Sequence, residues 1–176
     1  MQSPVTTQYR EFEKIATSIF EDASLASAFV AQEIASTIQA NNKNNTHTAL
    51  GLATGSTPVR IYREEEIDFS RVFTFNLDEY YPMSPDSRQS YVTYMKEYFF
   101  DHVNIPKEQI NIPDGTLNKN QVIPFCKSYE RKIRDLGGLD IQILGIGRTG
   151  HIGFNEPGSS IHSETRLIAL DNLTIL

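Results

Sequence analysis

The chain has 176 residues, of which 39% are hydrophobic and 22% are charged, with a formal net charge of −6. This composition is ordinary for a globular protein, and the acidic balance argues against nucleic acid or an anionic membrane as the main partner. Cys126 is the single cysteine and no window reaches ~18 apolar residues, so we expect no internal disulfide, no membrane span and a cytoplasmic location.

Strands and helices are predicted to alternate over residues 15–176, after a polar tail over residues 1–14. In chain order, the predicted elements are a strand over 15–20, a helix over 23–39, a strand over 48–53, a short helix from Pro58, a strand over 71–76, helices over 87–100 and 121–135, and strands over 139–144 and 165–170. This alternation is typical of an α/β fold, with a parallel, Rossmann-like, three-layer sheet that carries helices on both faces. No repeat or linker divides the chain, so we expect one domain.

The first predicted helix has clear signals at both ends. Glu21 and Asp22 precede it and offer carboxylates to its free N–H groups, and a turn over residues 41–46 follows it. Residues at helical spacing form an apolar stripe that is expected to face the core. They are Leu25, Phe29, Val30, Ile34 and Ile38.

A hydroxyl-rich loop follows the second predicted strand, with the sequence Thr54-Gly55-Ser56-Thr57-Pro58. Glycine allows close approach of the backbone, hydroxyls donate hydrogen bonds, and the N-terminus of a following helix favours an anion. The loop is therefore a candidate phosphate site. A capped strand-to-helix turn also explains these residues, and no lysine stands where a nucleotide-binding P-loop needs one.

Two adjacent acids, Asp78 and Glu79, follow the third predicted strand and are flanked by Tyr80 and Tyr81. A carboxylate that is partly desolvated beside aromatic rings has a raised pKa, which suits it to accept a proton from carbon. A solvated acid at the end of a strand, or a helix cap, is the alternative interpretation of both residues.

The segment from Gly145 to Pro157 concentrates glycine, histidine and glutamate after the fourth long apolar run. His151 and Glu156 are candidates for a proton-handling pair, because no second histidine or cysteine stands nearby to complete a metal site. A hydrogen-bonded structural histidine is the alternative. The glycines at 145, 147 and 150 match a dinucleotide-binding pattern formally, but the residues after them are not expected to form the helix that such a site requires.

Three motifs in this order resemble the glucosamine-6-phosphate deaminase family: TGSTP at 54–58, FNLDEY at 75–80 and GHIGFNEP at 150–157. The resemblance covers roughly residues 15–172 and includes the segment from Tyr91 to Ile112. The sister family, 6-phosphogluconolactonase, shares the fold and a Gly-His segment but lacks the FNEP ending.

The resemblance implies that glucosamine 6-phosphate and water become fructose 6-phosphate and ammonia without a cofactor. Asp78 would be the general base at C2, and His151, oriented by Glu156, would assist opening of the sugar ring. The remaining site residues would bind substrate: Thr54, Gly55, Ser56 and Thr57 would hold the phosphate, Glu79 would contact the substrate, and Gly145 would line the sugar pocket.

The chain departs from the family pattern at several points. Most members carry aspartate where Thr149 stands, and Ile168 and Ala169 replace polar residues of the family's allosteric pocket, so effector control of that kind is not expected. The family also continues past Leu176, so the domain is expected to be truncated here. A homo-oligomer is expected. Two other functions stay open: a non-catalytic sugar-phosphate sensor and a lactonase-like hydrolase.

Overall fold

The computed structural model describes residues 15–55, 67–147 and 149–170. Its strands are β1 (Thr48–Leu52), β2 (Val72–Asn76), β3 (Ile110–Asn111) and β4 (Ile141–Gln142). Its helices are α1 (Ala23–Lys43), α2 (Tyr91–Tyr98) and α3 (Lys119–Asp135), with 3-10 helices over Phe100–His102 and Lys107–Gln109. The predicted tail and the predicted helix from Pro58 lie outside the described residues.

The four strands form one parallel sheet in the order β3-β2-β1-β4. Along the central pair, Thr48 lies opposite Val72 and Leu52 lies opposite Asn76. All five residues of β1 are buried, as expected for a strand with neighbours on both sides and layers on both faces. The predictions of strands over 48–53 and 71–76 and of a parallel α/β sheet are confirmed.

Helices cover both faces of this sheet. On one face Leu50, Leu52 and Val72 belong to a core cluster with residues of α1 and α2. Because side chains alternate along a strand, Phe75 points to the opposite face, where its ring meets that of Tyr129 in α3 at a centroid distance of 5.6 Å. The predicted three-layer arrangement is therefore confirmed.

Helix α1 begins where the sequence predicts, because the Asp22 carboxylate accepts a hydrogen bond from the backbone N–H of Leu25 at 2.8 Å. It continues to Lys43, so the predicted turn over 41–46 was wrong in its first half; the chain reverses at Asn45, whose φ is 55°. These residues continued the helix because Asn41 and its neighbours still bury part of their surface against the sheet.

The predicted apolar stripe of α1 is only half correct. Ile34 and Ile38 are buried, but Leu25 and Phe29 are 36% and 43% exposed. Small residues form the rest of the buried face, namely Ser27, Ala31 and Ala35. Small side chains let a helix lie close to the sheet, whereas Phe29 instead packs on Phe20 at a centroid distance of 5.3 Å.

Both predicted outer strands were wrong. Residues 15–20 form only a single bridge at Ile19, and Ile15 is 80% exposed, so burial does not hold this segment against the sheet. Residues 165–170 form no strand, because Thr165 is bound to a side chain: its N–H and hydroxyl both donate to Glu130 of α3, at 2.8 and 2.7 Å.

Polar side chains also shorten two predicted elements. Helix α2 begins at Tyr91 instead of residue 87 because the Ser90 hydroxyl accepts from the N–H of Val92 at 3.0 Å and caps it. Strand β4 is shorter than the predicted 139–144. At its start the Asp140 carboxylate, and not a backbone carbonyl, accepts the hydrogen bond from the N–H of Ala49, at 2.7 Å. Within the described ranges, every helix is too short or too polar to span a bilayer.

Tyr129 connects α3 to the carboxyl edge of the sheet. Its hydroxyl is buried and shares its proton between the carbonyl oxygens of Asn76 and Asn111, at 2.8 and 3.0 Å. These carbonyls end β2 and β3, so one side chain holds both strand ends below the loop that carries Asp78.

We expect Tyr129→Phe to lower the free energy of unfolding by about 1–3 kcal/mol, because it leaves two buried carbonyls without their donor. Denaturant unfolding measures the change. Tyr98→Phe in the exposed part of α2 is the matched control and should change stability little. Equal effects of the two substitutions would contradict the anchoring role of Tyr129.

Candidate active site

Three connections leave the sheet side by side. The strands β2, β1 and β4 are parallel neighbours, so the segments over 77–82, 53–55 and 143–156 emerge at the same edge. The third segment reaches the first at Gly153, where an added Cβ would stand 3.3 Å from the Asp78 carboxylate.

Helix α2 joins the second connection to the same place. The Tyr94 hydroxyl donates to the carbonyl of Gly55 at 2.7 Å, and Gly55 has a φ of 109° that favours glycine. Through Gly153 and Tyr94 the three connections therefore converge on one region of this edge. Ser56 and Thr57 lie outside the described residues.

Asp78 is half-buried two residues beyond the end of β2. Loss of hydration, and then the charge of Glu79, raise the pKa of the Asp78 carboxyl from 3.8 to about 7. Both influences act against ionisation. A carboxyl with a pKa near neutrality exists in both protonation states, so it can take up a proton and return it.

Glu79 has a different environment from its neighbour. Its carboxylate accepts hydrogen bonds from the Ser90 hydroxyl at 2.8 Å and from the N–H of Tyr91 at 2.9 Å, and also from the N–H of Tyr80 at 2.8 Å. The negative charge thus lies at the N-terminus of α2, where N–H groups and the helix dipole stabilise it. These contacts favour the helix-cap interpretation of Glu79 over substrate binding.

Three aromatic rings pack together beside the loop that carries Asp78. The ring of Phe154 lies 5.1 Å from that of Tyr80 and 5.9 Å from that of Tyr91 between centroids. Burial, and then the neighbouring Tyr80 side chain, raise the pKa of the Tyr91 phenol, while the Thr54 side chain acts in the opposite direction. Sequence reasoning missed Tyr91, because only the fold brings the start of α2 to this loop.

The proton-handling pair of the third connection is joined by a third residue. The Thr149 hydroxyl lies 2.9 Å from Nδ1 of His151 and 3.2 Å from Oε2 of Glu156. The Thr149 hydroxyl thus links the side chains of His151 and Glu156. All three side chains are half-buried, so water competes only partly for these contacts.

Gly147 provides the surface on which the His151 ring rests. An added Cβ at this position would overlap the imidazole, and the Gly147 N–H donates to the carbonyl of His151 at 2.9 Å. Single bridges from Ile152 to Ile146 and Asn155 fold the loop back on itself. No helix follows the glycines in the described part of this segment, as the sequence predicts. Gly145 lies exposed beside open space.

An open groove of about 1190 Å³ extends from Asp78 along α3 to the segment over 163–170. His151 and Thr54 are not part of its lining, so the contacts among the three connections define the site better than the groove does. In the described ranges, no three His, Cys, Asp or Glu side chains are grouped so that they could hold a metal ion.

Comparison with known sequences is consistent with this geometry. The family model described as glucosamine-6-phosphate isomerases/6-phosphogluconolactonase matches residues 21–170. A glucosamine-6-phosphate deaminase-like protein of Bacteroides thetaiotaomicron is 43% identical over 167 residues, which are 91% of this chain and 25% of the relative. A glucosamine-6-phosphate deaminase of Clostridium botulinum (strain Langeland) is 53% identical over 135 residues, which are 73% of this chain and 54% of the relative.

Solved structures show the same fold. A monomeric glucosamine-6-phosphate deaminase superposes with a TM-score of 0.81 at 38% identity, covering 88% of this chain and 65% of its own. The 6-phosphogluconolactonase from Thermotoga maritima superposes with a TM-score of 0.64 at 28% identity, and the match covers 77% of this chain and 62% of the lactonase chain. The chain thus spans about half the length of the Clostridium relative and about two thirds of these structures.

We expect Asp78→Asn to stabilise the fold increasingly as pH rises. The pKa of Asp78 is higher in the folded chain than its ordinary 3.8, so its contribution to stability is complete below pH 3.8 and is lost as pH rises through about 7. Asparagine removes this loss, which is worth on the order of 2–4 kcal/mol above pH 7. Unfolding measured at pH 4 and at pH 8 tests the expectation. The exposed Asp86→Asn is the control, and an equal gain at both pH values would contradict the shift.

We expect Glu79→Ala to destabilise the protein by roughly 1–3 kcal/mol, because the N-terminus of α2 loses its main acceptor. Thermal unfolding measures the loss, and Glu97→Ala on the exposed side of the same helix is the control. Unchanged stability with weaker binding of a phosphosugar would instead favour the substrate-binding interpretation.

Proposed function

The chain belongs to the family of glucosamine-6-phosphate isomerases and 6-phosphogluconolactonases, and on this premise we propose that the protein carrying it is a glucosamine-6-phosphate deaminase. Glucosamine 6-phosphate and water would become fructose 6-phosphate and ammonia. The observation that carries the proposal is Asp78, whose pKa of about 7 suits proton transfer at carbon, beside a hydroxyl-bearing loop and a hydrogen-bonded histidine.

Asp78 is the proposed base. In the open-chain sugar it takes the proton from C2 and gives an enolamine, and it then returns a proton to C1. The resulting imine at C2 adds water and releases ammonia. A carboxyl whose pKa lies near the working pH is suited to both transfers.

His151 is proposed to assist ring opening, in which the C1–O5 bond breaks, the C1 hydroxyl loses its proton and O5 gains one. Its Nδ1 is occupied by Thr149, and Nε2 has no hydrogen-bond partner among the residues that the structure describes. Nε2 is therefore the nitrogen available to the substrate, and Glu156 supports the ring through Thr149.

The phosphate is proposed to bind the loop that follows β1. Thr54 and Gly55 lie beside Tyr91 and Tyr94 at the carboxyl edge of the sheet, and the positive φ of Gly55 suits close approach by an anion. Ser56 and Thr57 complete this proposal from sequence alone. Gly145 is proposed to line the sugar pocket, where its missing side chain leaves space.

Other features of the protein remain predictions. The chain has no helix in its described ranges that could cross a bilayer, and a cytoplasmic location is proposed from composition. A homo-oligomer is proposed as well, although the superposed deaminase structure is that of a monomeric enzyme. One domain over 15–176 likewise rests on the sequence.

Asp78→Asn in the protein at its natural length is expected to lower the rate of ammonia and fructose 6-phosphate release by about 10²- to 10⁴-fold, because the base is lost. Asp86→Asn on the exposed loop is the matched control and should retain wild-type turnover. Turnover at the wild-type rate in Asp78→Asn would remove Asp78 from the role of base.

Two further measurements separate the alternatives. Hydrolysis of 6-phosphogluconolactone without deamination would favour a lactonase, which the similarity to the Thermotoga structure makes the second candidate. Tight binding of glucosamine 6-phosphate without turnover would favour a non-catalytic sensor.

A further inference from the structure

The hydroxyl of Thr149 lies between a ring nitrogen and a carboxylate, and it has one proton to donate. It is 2.9 Å from Nδ1 of His151 and 3.2 Å from Oε2 of Glu156. We propose that Thr149 is a positioning residue that holds the proton of neutral His151 on Nδ1 and so leaves the lone pair on Nε2. This inference deepens the proposed function and rests on it for its kinetic effect alone.

The direction of each hydrogen bond follows from the inventory of donors. An ionised carboxylate only accepts, so the Thr149 proton must go to Glu156 if their contact is a hydrogen bond. The hydroxyl then has no proton left for His151, and its oxygen can only accept. The contact with His151 is a hydrogen bond only when Nδ1 carries the hydrogen. One tautomer of the imidazole therefore satisfies both contacts, and the other satisfies one.

The backbone at Gly147 restricts the position of the His151 ring while its Nδ1 faces Thr149. Gly147 lies against the imidazole so closely that a Cβ there would overlap it, and the Gly147 N–H binds the carbonyl of His151. Thr149 is β-branched, which restricts its χ1 and the direction of its hydroxyl. The ring is thus bounded by Gly147 along Cε1 and its two nitrogens and by the Thr149 hydroxyl at Nδ1.

Fixing the tautomer determines what the ring can do. Nδ1 keeps its hydrogen in both the neutral and the protonated ring, so only Nε2 gains and loses a proton. Thr149 is neutral and transfers no charge to the ring; it supplies orientation. The ring is then ready to accept a proton from a substrate hydroxyl without first exchanging one between its two nitrogens.

The direct test is the tautomer of His151. In long-range ¹H–¹⁵N spectra recorded at a pH where the ring is neutral, the wild type and Thr149→Ser are expected to show Nδ1–H with an unprotonated Nε2. Thr149→Val preserves the shape but removes the acceptor, and its ring is expected to shift toward Nε2–H. The wild type and the valine variant thus differ by one heavy atom, the hydroxyl oxygen, and the serine variant keeps that oxygen.

The kinetic test uses the protein at its natural length. Thr149→Val is expected to lower kcat by about 10- to 100-fold with KM within about twofold, on the scale that loss of an orienting partner has at other sites. Thr149→Ser should recover kcat to within about threefold. A residue that merely supports the fold would lower thermal stability without this division between kcat and KM and without a change of tautomer.

Two results would overturn the proposal. The first is an Nε2–H tautomer of His151 in the wild type, a measurement that stays decisive even if the valine variant does not fold. The second is a Thr149→Val variant with the same tautomer and the same kcat as the wild type. Absence of deamination in the wild type would contradict the proposed function, while the tautomer would still decide the role of Thr149.

Discussion

The site depends on a carboxyl group that is withdrawn from water beside another negative charge. Lost hydration and the charge of Glu79 both raise the pKa of Asp78, to about 7. The fold contributes to this burial, because β2 ends at an edge of the sheet where Gly153 of a neighbouring connection approaches the Asp78 carboxylate. A fold that left the end of β2 open to solvent would leave an ordinary acid there.

Adjacent residues in this loop have opposite roles because they have opposite surroundings. Glu79 accepts hydrogen bonds from Ser90 and from the N-terminus of α2, so its charge is compensated. Burial removes water from Asp78, and the negative charge of Glu79 acts on it as well, so the pKa of Asp78 is raised. Two carboxyls of similar intrinsic acidity are thereby separated into one that holds a helix and one that can exchange a proton.

The sequence predicted the parallel sheet because its strands follow from local patterns. Apolar runs at β1 and β2 are recognisable without the rest of the chain, and parallel strands bring their carboxyl ends to one edge. Some of the failures involve polar contacts between distant residues. Thr165 binds Glu130 instead of pairing as a strand, and Glu79 binds an amide 12 positions along the chain. No periodicity records such contacts, since each partner alone is an ordinary surface residue.

Because Thr149 lies between His151 and Glu156, the hydrogen bond to one depends on the hydrogen bond to the other. A carboxylate in the same place would accept a hydrogen from Nδ1 in any orientation, because it has no proton to direct. The Thr149 hydroxyl can accept a hydrogen bond from His151 only while it donates its proton to Glu156. The carboxylate therefore orients the hydroxyl, and the hydroxyl orients the ring. The effects of replacing Thr149 and Glu156 should therefore not add, because either replacement removes the same constraint on Nδ1. On this proposal Glu156 acts on the tautomer of His151 through the neutral Thr149 hydroxyl.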